Sequence, residues 1–143
     1  MRWRAAGPQD AGAIAFHRYR EDADEAERDV YASWVRAALE REVYVGFLAS
    51  TQGGEVVAGA GLLVLEWGPS RGDPQPYRAR VVNIWTHPDW RRQGLAREGV
   101  LACLDAARQR GVTRLSLGTT AAAQGLYASL GFRGSATEMT LVL

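Results

Sequence analysis

The chain has 143 residues, of which 47% are hydrophobic, and its formal net charge is +1. This length and apolar content predict one globular domain, 1–143, with a buried core. A net charge so close to zero argues against bulk electrostatic binding to nucleic acid or to a membrane surface.

The cysteine count limits the classes of protein to which the chain can belong, because Cys103 is its only cysteine. A single thiol excludes an internal disulfide and a cysteine-ligated metal cluster, and it favours a reducing, cytoplasmic setting. We therefore expect no metal site. The longest apolar run, 56–65, is far shorter than the roughly 20 residues of a membrane-spanning helix, so we expect no membrane partner either.

The first half of the chain reads as a strand, two helices and a hairpin. Residues 1–5 predict a short strand, and 8–19 predict a helix that begins with a proline, which a first turn tolerates. A second helix follows, in which five apolar residues recur at helical spacing and are expected to face a sheet: Val30, Trp34, Val35, Ala38 and Leu39. Residues 44–49 and 56–67 are rich in β-formers and predict an antiparallel hairpin.

The second half alternates between strands and helices after a loop at 68–77, which contains three prolines. A strand, a helix, a strand, a helix and a final strand are predicted in turn over 79–86, 95–110, 112–117, 121–130 and 132–143. The predicted order of the whole chain is therefore βααβββαβαβ, a mixed α/β arrangement.

The stretch 81–96, VVNIWTHPDWRRQGLA, runs from a strand into the start of a helix. Gly94 allows a ligand to approach the backbone closely, and Ala96 keeps the start of the helix near the sheet. The first N–H groups of a helix have no intrahelical acceptor and coincide with the positive end of its dipole, so they bind anions. With the nearby arginines, this pattern predicts a diphosphate-binding turn.

A second motif, LYASLGF at 126–132, places Tyr127 on a short helix after the next strand. Together with NIWTHPDWRRQGLA, it resembles the GNAT family of acetyl-coenzyme A (acetyl-CoA)-dependent N-acetyltransferases. The motifs cover 81–132, and the first half agrees in its order of elements. The resemblance implies a mixed, mostly antiparallel sheet of about six or seven strands flanked by about four helices, with acetyl-CoA as acyl donor and an amine of a small molecule or peptide as acceptor.

The resemblance also assigns roles to individual residues. Backbone groups of Ile84, Trp85 and Thr86 correspond to the strand that binds the pantetheine arm. The diphosphate turn corresponds to Arg91, Arg92, Gln93, Gly94, Leu95, Ala96 and Arg97. Tyr127 matches the general acid that protonates the leaving thiolate. Thr120 stands where many members have an asparagine that hydrogen-bonds the cofactor arm, and we expect it to bind the cofactor there.

The general base stays open at the sequence level. Many family members carry a glutamate on a neighbouring strand, but neither 81–83 nor Leu115 supplies a carboxylate. Glu66, His87 and an ordered water are the candidates, since an amine with a pKa near 10 must lose a proton before it attacks.

Other readings compete with catalysis. The missing carboxylate allows a non-catalytic CoA-binding sensor or scaffold. Gly94-x-Ala96-x-x-Gly99 imitates a dinucleotide-binding fingerprint, but 115–118 lacks the acidic residue that holds a ribose. A phosphate-binding loop of the Gly-Lys-Ser/Thr type is excluded, because all 17 basic residues are arginine. The acidic run 21–29 suggests a cationic acceptor, and we expect a homodimer, with a monomer left open.

Overall fold

The structure is a computed structural model that describes residues 1–143. Five strands form one sheet in the order β1-β2-β3-β4-β5, and four α-helices flank it. The elements are β1 (Arg2–Ala5), α1 (Ala11–Arg18), α2 (Glu25–Glu40), β2 (Tyr44–Ser50), β3 (Val56–Glu66), β4 (Tyr77–Thr86), α3 (Leu95–Gln109), β5 (Leu115–Ser116) and α4 (Gln124–Ser129). None of the helices is both long and apolar enough to cross a membrane.

The mixed α/β class and the predicted hairpin of β2 and β3 are confirmed, but the predicted final strand is wrong. No strand follows β5, so the sheet has five strands and not six or seven. Residues 133–143 make no backbone–backbone hydrogen bond, so they add no strand to the free edge of β5. β5 is also shorter than the predicted strand 112–117.

The core lies on both faces of the sheet. On one face, α3 packs through Cys103, Ala106 and Ala107 against buried residues of β3 and β4. Cys103 is fully buried there, and burial raises the pKa of its thiol to about 12. On the other face, α1 and α2 pack together around the buried ring of Tyr44.

Part of the apolar stripe predicted for α2 does not face the sheet. Val35, Ala38 and Leu39 are buried, but Val30 is 73% exposed and Trp34 is 41% exposed. Neighbouring residues lie about 100° apart around a helix, so Val30 and Trp34 form a separate stripe beside the buried one. This second stripe is therefore a surface feature.

β3 and β4 pair residue by residue except at one β-bulge, where Asn83 and Ile84 together lie opposite Ala60. Asn83 has a φ of 55°, in the left-handed region that asparagine adopts more readily than most residues. A bulge bends its strand and increases the local twist. It therefore changes the direction of β4 immediately before residues 84–86.

β4 and β5 are parallel and pair only at Ala79 with Leu115 and at Arg80 with Ser116. Residues 81–86 of β4 consequently have β3 on one side and no strand on the other. The N–H and C=O groups on that open side are not used by the sheet. The divergence of the two strands leaves a cleft with a main-chain wall.

Candidate active site

The cleft wall contains the three residues that the sequence resemblance places on the pantetheine arm, Ile84, Trp85 and Thr86. All three lie at the end of β4 beyond the bulge, and each is half-buried. Their open backbone edge follows from the two-residue pairing between β4 and β5. An extended ligand can hydrogen-bond such an edge in the way that an added strand does.

The predicted diphosphate turn lies directly after this wall and ends at the start of α3. Gly94 is the N-cap of α3, with a φ of 78° and no side-chain cap. The first helical hydrogen bond runs from the Glu98 N–H to the Gly94 carbonyl at 3.0 Å, so the N–H groups of residues 95–97 have no intrahelical acceptor. A Cβ at position 94 would meet no atom within 4 Å, which shows that the space over the turn is open.

Side chains around the turn keep this backbone accessible. Leu95 is buried in the core while Arg91, Arg92, Gln93 and Gly94 are exposed, so the main chain faces solvent. Arg92 makes no side-chain hydrogen bond, and its φ of 63° belongs to the same left-handed turn. Free N–H donors, a helix dipole and unpaired guanidinium charge together fit a diphosphate.

The other two assigned arginines have partners in the structure. The Nε of Arg91 donates a long hydrogen bond of 3.5 Å to the Thr86 carbonyl. A terminal nitrogen of Arg97 donates to the Ser129 hydroxyl at 2.9 Å and so links α3 to α4. Ala96 is half-buried between them along the helix.

Tyr127 lies on α4 and is 9% exposed, with its ring edge-on to Phe132 at a centroid distance of 6.1 Å. No protein group hydrogen-bonds its hydroxyl. Burial raises the pKa of Tyr127 above its usual value of 10, so the phenol stays protonated at neutral pH. Thr120 is exposed seven residues earlier, before the turn that leads into α4, and its hydroxyl makes no hydrogen bond.

On the opposite face of the sheet, the side chain of Asn83 holds the bulge through three hydrogen bonds. Its Nδ2 donates to the hydroxyls of Tyr31 at 2.8 Å and Tyr44 at 3.0 Å, and its Oδ1 accepts from Arg18 at 3.0 Å. Sequence reasoning gave Asn83 no role. The available signal was a single amide residue within an apolar strand, next to the motif.

His17, to which sequence reasoning assigned no role in the site, also lies beside the cleft wall. Its ring stacks on Trp85 with centroids 4.0 Å apart and planes 14° apart. Burial, and then the positive charge of Arg20, lower the pKa of His17 to about 4, so its imidazole is neutral at pH 7. The Nε1 of Trp85 is buried without a hydrogen-bond partner, a state that costs about 1–3 kcal/mol unless a ligand supplies an acceptor.

The structure separates the two side-chain candidates for the general base. Glu66 is the last residue of β3 and lies opposite Tyr77 of β4. Gly59, the residue of β3 that pairs with Trp85, is seven residues away from Glu66, which is about 23 Å along the strand. That distance removes Glu66 from the site. His87 contacts the edge of Trp85 at a ring distance of 6.1 Å, and its Nδ1 accepts a hydrogen bond from the Asp89 N–H at 3.1 Å.

A strand with an open edge, a helix N-terminus with three free N–H groups and a protonated tyrosine lie together in this part of the fold, and they fit a CoA thioester. A sequence model of the acetyltransferase (GNAT) family matches residues 8–132, which is most of the chain. The protein therefore belongs to the acetyltransferase (GNAT) family and transfers the acetyl group of acetyl-CoA to an amine.

Solved structures agree with this family. A GCN5-related N-acetyltransferase from Ralstonia eutropha is 27% identical with a TM-score of 0.88, and the match covers 99% of this chain and 97% of that one. A predicted acetyltransferase from Clostridium acetobutylicum, solved with acetyl-CoA, is 18% identical with a TM-score of 0.88 over 99% and 95% of the two chains.

A ribosomal-protein-alanine N-acetyltransferase from Brucella melitensis is 19% identical with a TM-score of 0.71, and the match covers 100% of both chains. At these identities, the Clostridium and Brucella structures establish the shared fold. No curated protein matches the sequence significantly.

Lowering the pH from 7 to 5 is expected to destabilise the protein through His17. The pKa of His17 in the folded protein, about 4, lies below its ordinary value of 6.5. Between pH 6.5 and pH 4 the unfolded chain therefore binds more protons than the folded chain, and stability decreases as the pH is lowered. The expected loss is about 2 kcal/mol, measured by urea unfolding at both pH values. The His17→Phe variant keeps a ring against Trp85 but has no group that titrates, so its loss of stability between pH 7 and pH 5 should be smaller than that of the wild type by about the same amount. An equal loss in both proteins would contradict the lowered pKa of His17.

Proposed function

We propose that acetyl-CoA binds with its diphosphate on residues 91–97 and its pantetheine arm along the open edge of residues 84–86. The observation that carries this assignment is the set of three free N–H groups at the start of a 15-residue helix, under open space at Gly94. The unpaired edge of β4 leads from that turn toward the bulge, so one extended ligand can use both surfaces. Thr120 supplies a free hydroxyl beside the arm.

When bound, acetyl-CoA supplies an acetyl thioester whose carbonyl carbon accepts the amine. Tyr127 then donates its phenolic proton to the thiolate that leaves as the carbon–sulfur bond breaks. Its raised pKa suits this role, because the proton is retained at neutral pH until the thiolate forms. The imidazole of His87, at the edge of Trp85, is the side chain proposed there to take the proton of the acceptor amine, with an ordered water as the alternative.

The acceptor enters from the side of α1 and α2. A surface groove of about 560 Å³ lies there, lined by Tyr19, Ala26, Glu27, Val30, Tyr31 and Trp34. Tyr31 connects the groove to the site, because its ring lines the groove while its hydroxyl accepts from Asn83 at the bulge. The apolar lining, the Glu27 carboxylate and the acidic run 21–29 together favour a cationic amine with an apolar body.

The proposed domain, location and partners of the protein are based on its composition and on the chemistry of the reaction. One domain, 1–143, carries the acetyltransferase site, and the cytoplasm is its location because the lone thiol needs no oxidising compartment. The partners are acetyl-CoA, the amine and a second copy of the chain, with no nucleic acid and no membrane.

Replacing Arg92 by glycine tests the diphosphate turn. Glycine keeps the left-handed backbone of this position while removing its charge, so the dissociation constant for acetyl-CoA is expected to rise about tenfold at low salt, since hydrogen bonds to charged groups contribute roughly 1.5–3 kcal/mol. Titration calorimetry measures this change. Arg71→Gly, in the loop at the far end of the sheet, is the matched control. Unchanged affinity in Arg92→Gly would place the diphosphate elsewhere.

Replacing Tyr127 by phenylalanine tests the proton donor. The turnover rate of CoA thiol release is expected to fall about 10²- to 10⁴-fold, as removal of a general acid does, while the dissociation constant for acetyl-CoA changes less than about twofold. Tyr77→Phe, at the opposite end of β4, is the control. Undiminished turnover in Tyr127→Phe would show that another group protonates the thiolate.

Replacing Glu27 by glutamine tests the acceptor side in a thiol-release screen of amines. The KM of cationic amines with an apolar body is expected to rise about two- to fivefold, because an ion pair at an exposed site contributes up to roughly 1 kcal/mol. Neutral hydroxylated amines and the affinity for acetyl-CoA should not change. Glu40→Gln, at the other end of α2, is the control. Equal KM values for cationic amines in Glu27→Gln and Glu40→Gln would show that the acceptor does not bind in the groove.

A further inference from the structure

The hydroxyl of Tyr31 lies where the acceptor groove, the surface groove beside α1 and α2, meets the wall of the cleft. The ring of Tyr31 lines the groove, and its hydroxyl accepts a hydrogen bond from Nδ2 of Asn83 at 2.8 Å. Asn83 directly precedes Ile84, the first residue of the wall. A ligand that fills the groove as far as this hydroxyl therefore lies next to the start of the wall.

Arg18 fixes the direction of the hydrogen bond between Asn83 and Tyr31. A guanidinium can only donate, and a terminal nitrogen of Arg18 donates to Oδ1 of Asn83 at 3.0 Å. The amide nitrogen of Asn83 must then face the two tyrosines, and it donates to the hydroxyls of both Tyr31 and Tyr44. The hydroxyl oxygen of Tyr31 is consequently an acceptor in this network, with a second lone pair left over.

The two tyrosines differ in whether a ligand can reach that second lone pair. Tyr44 is 2% exposed, and its hydroxyl lies so close to Gly61 that a Cβ at position 61 would clash with it. Tyr31 is half-buried, and its hydroxyl makes no other hydrogen bond within the protein. Of the two hydroxyls that Asn83 binds, the one on Tyr31 is therefore the one that can contact a ligand.

The ring of Tyr31 is held by its neighbours. The guanidinium carbon of Arg18 lies 5.0 Å from the centroid of the ring. The rings of Tyr19 and Trp34 contact it with centroid distances of 5.8 and 5.6 Å. A side chain that orients a substrate needs such support, because a small displacement of the bound substrate slows the reaction.

We propose that the Tyr31 hydroxyl accepts a hydrogen bond from the nitrogen of the acceptor amine, and that Asn83 is the positioning residue that orients this hydroxyl. A neutral amine that donates one N–H to Tyr31 keeps its lone pair, and this lone pair attacks the thioester carbonyl at the wall. The apolar body of the amine then lies in the groove. The inference rests on the proposed function for the reaction, but the amine contact is measurable without acetyl-CoA.

Calorimetric titration with two probe cations tests the contact in the absence of acetyl-CoA. Phenethylamine carries N–H donors on an apolar body, while its quaternary trimethylammonium analogue has the same body and charge without an N–H. Tyr31→Phe removes only the hydroxyl, so it is expected to weaken phenethylamine binding about tenfold and binding of the quaternary analogue less than about twofold. An unchanged affinity for the quaternary analogue also shows that the variant is folded.

Tyr44→Phe is the matched control, because it removes the other hydroxyl that Asn83 binds. It should bind both probes with the affinity of the wild type. The proposal would be overturned by equal losses for the two probes in Tyr31→Phe, by equal losses of phenethylamine affinity in the two variants, or by a wild-type chain that does not bind phenethylamine.

Replacing Asn83 by glycine tests the positioning role. Glycine keeps the left-handed backbone at this position and removes the amide. Asn83→Gly is expected to weaken phenethylamine binding about three- to fivefold, and adding it to Tyr31→Phe should cause no further loss, since Asn83 acts through the missing hydroxyl. Additive losses in the double variant would show that Asn83 does not act through Tyr31.

Thiol release separates this inference from the proposed function. With phenethylamine as acceptor, Tyr31→Phe is expected to raise KM about tenfold, while the dissociation constant for acetyl-CoA changes less than about twofold. An unchanged KM in an active Tyr31→Phe enzyme would refute the contact alone. A wild-type chain that shows the expected probe binding but releases no thiol with any amine would refute acetyl transfer and support the amine contact.

Discussion

The site depends on an incomplete pairing of one strand. β4 is held by β3 along its length but leaves β5 after two residue pairs, so its last six residues present a bare main-chain edge. A fully paired strand would have no backbone groups left for a ligand. The bulge at Asn83 fixes where this edge begins, and three hydrogen bonds from α1, α2 and β2 to its side chain fix the bulge.

The two faces of the sheet carry different parts of the candidate site. α3 contributes an anion-binding end on one side of β4, while α1 and α2 contribute aromatic side chains and carboxylates on the other. Trp85 stands between these regions, stacked on a neutral imidazole and with an indole N–H that has no protein acceptor. In the proposed complex, acetyl-CoA binds on the α3 side of β4 and the amine approaches from the side of α1 and α2.

Local sequence signals predicted the hairpin, the helix start at Gly94 and the short helix of Tyr127, because glycine, proline and apolar spacing act over a few residues. They could not predict features that depend on distant partners. Val30 and Trp34 have helical spacing but lie on a stripe that the sheet does not cover, and residues 132–143 have strand-like composition but pair with no strand. The contacts of Asn83 and His17 join residues far apart in the chain, and Glu66 was excluded only by strand register.

The complete burial of Cys103 prevents a side reaction in which the protein would acylate itself. A thiolate near an activated ester would capture the acyl group itself, and the enzyme would become its own substrate. Here the sulfur lies on the buried face of α3 with no solvent contact and with a pKa of about 12, so it is a protonated thiol that a ligand cannot reach. As the chain also has no lysine, no side-chain amine competes with the intended acceptor for the acyl group.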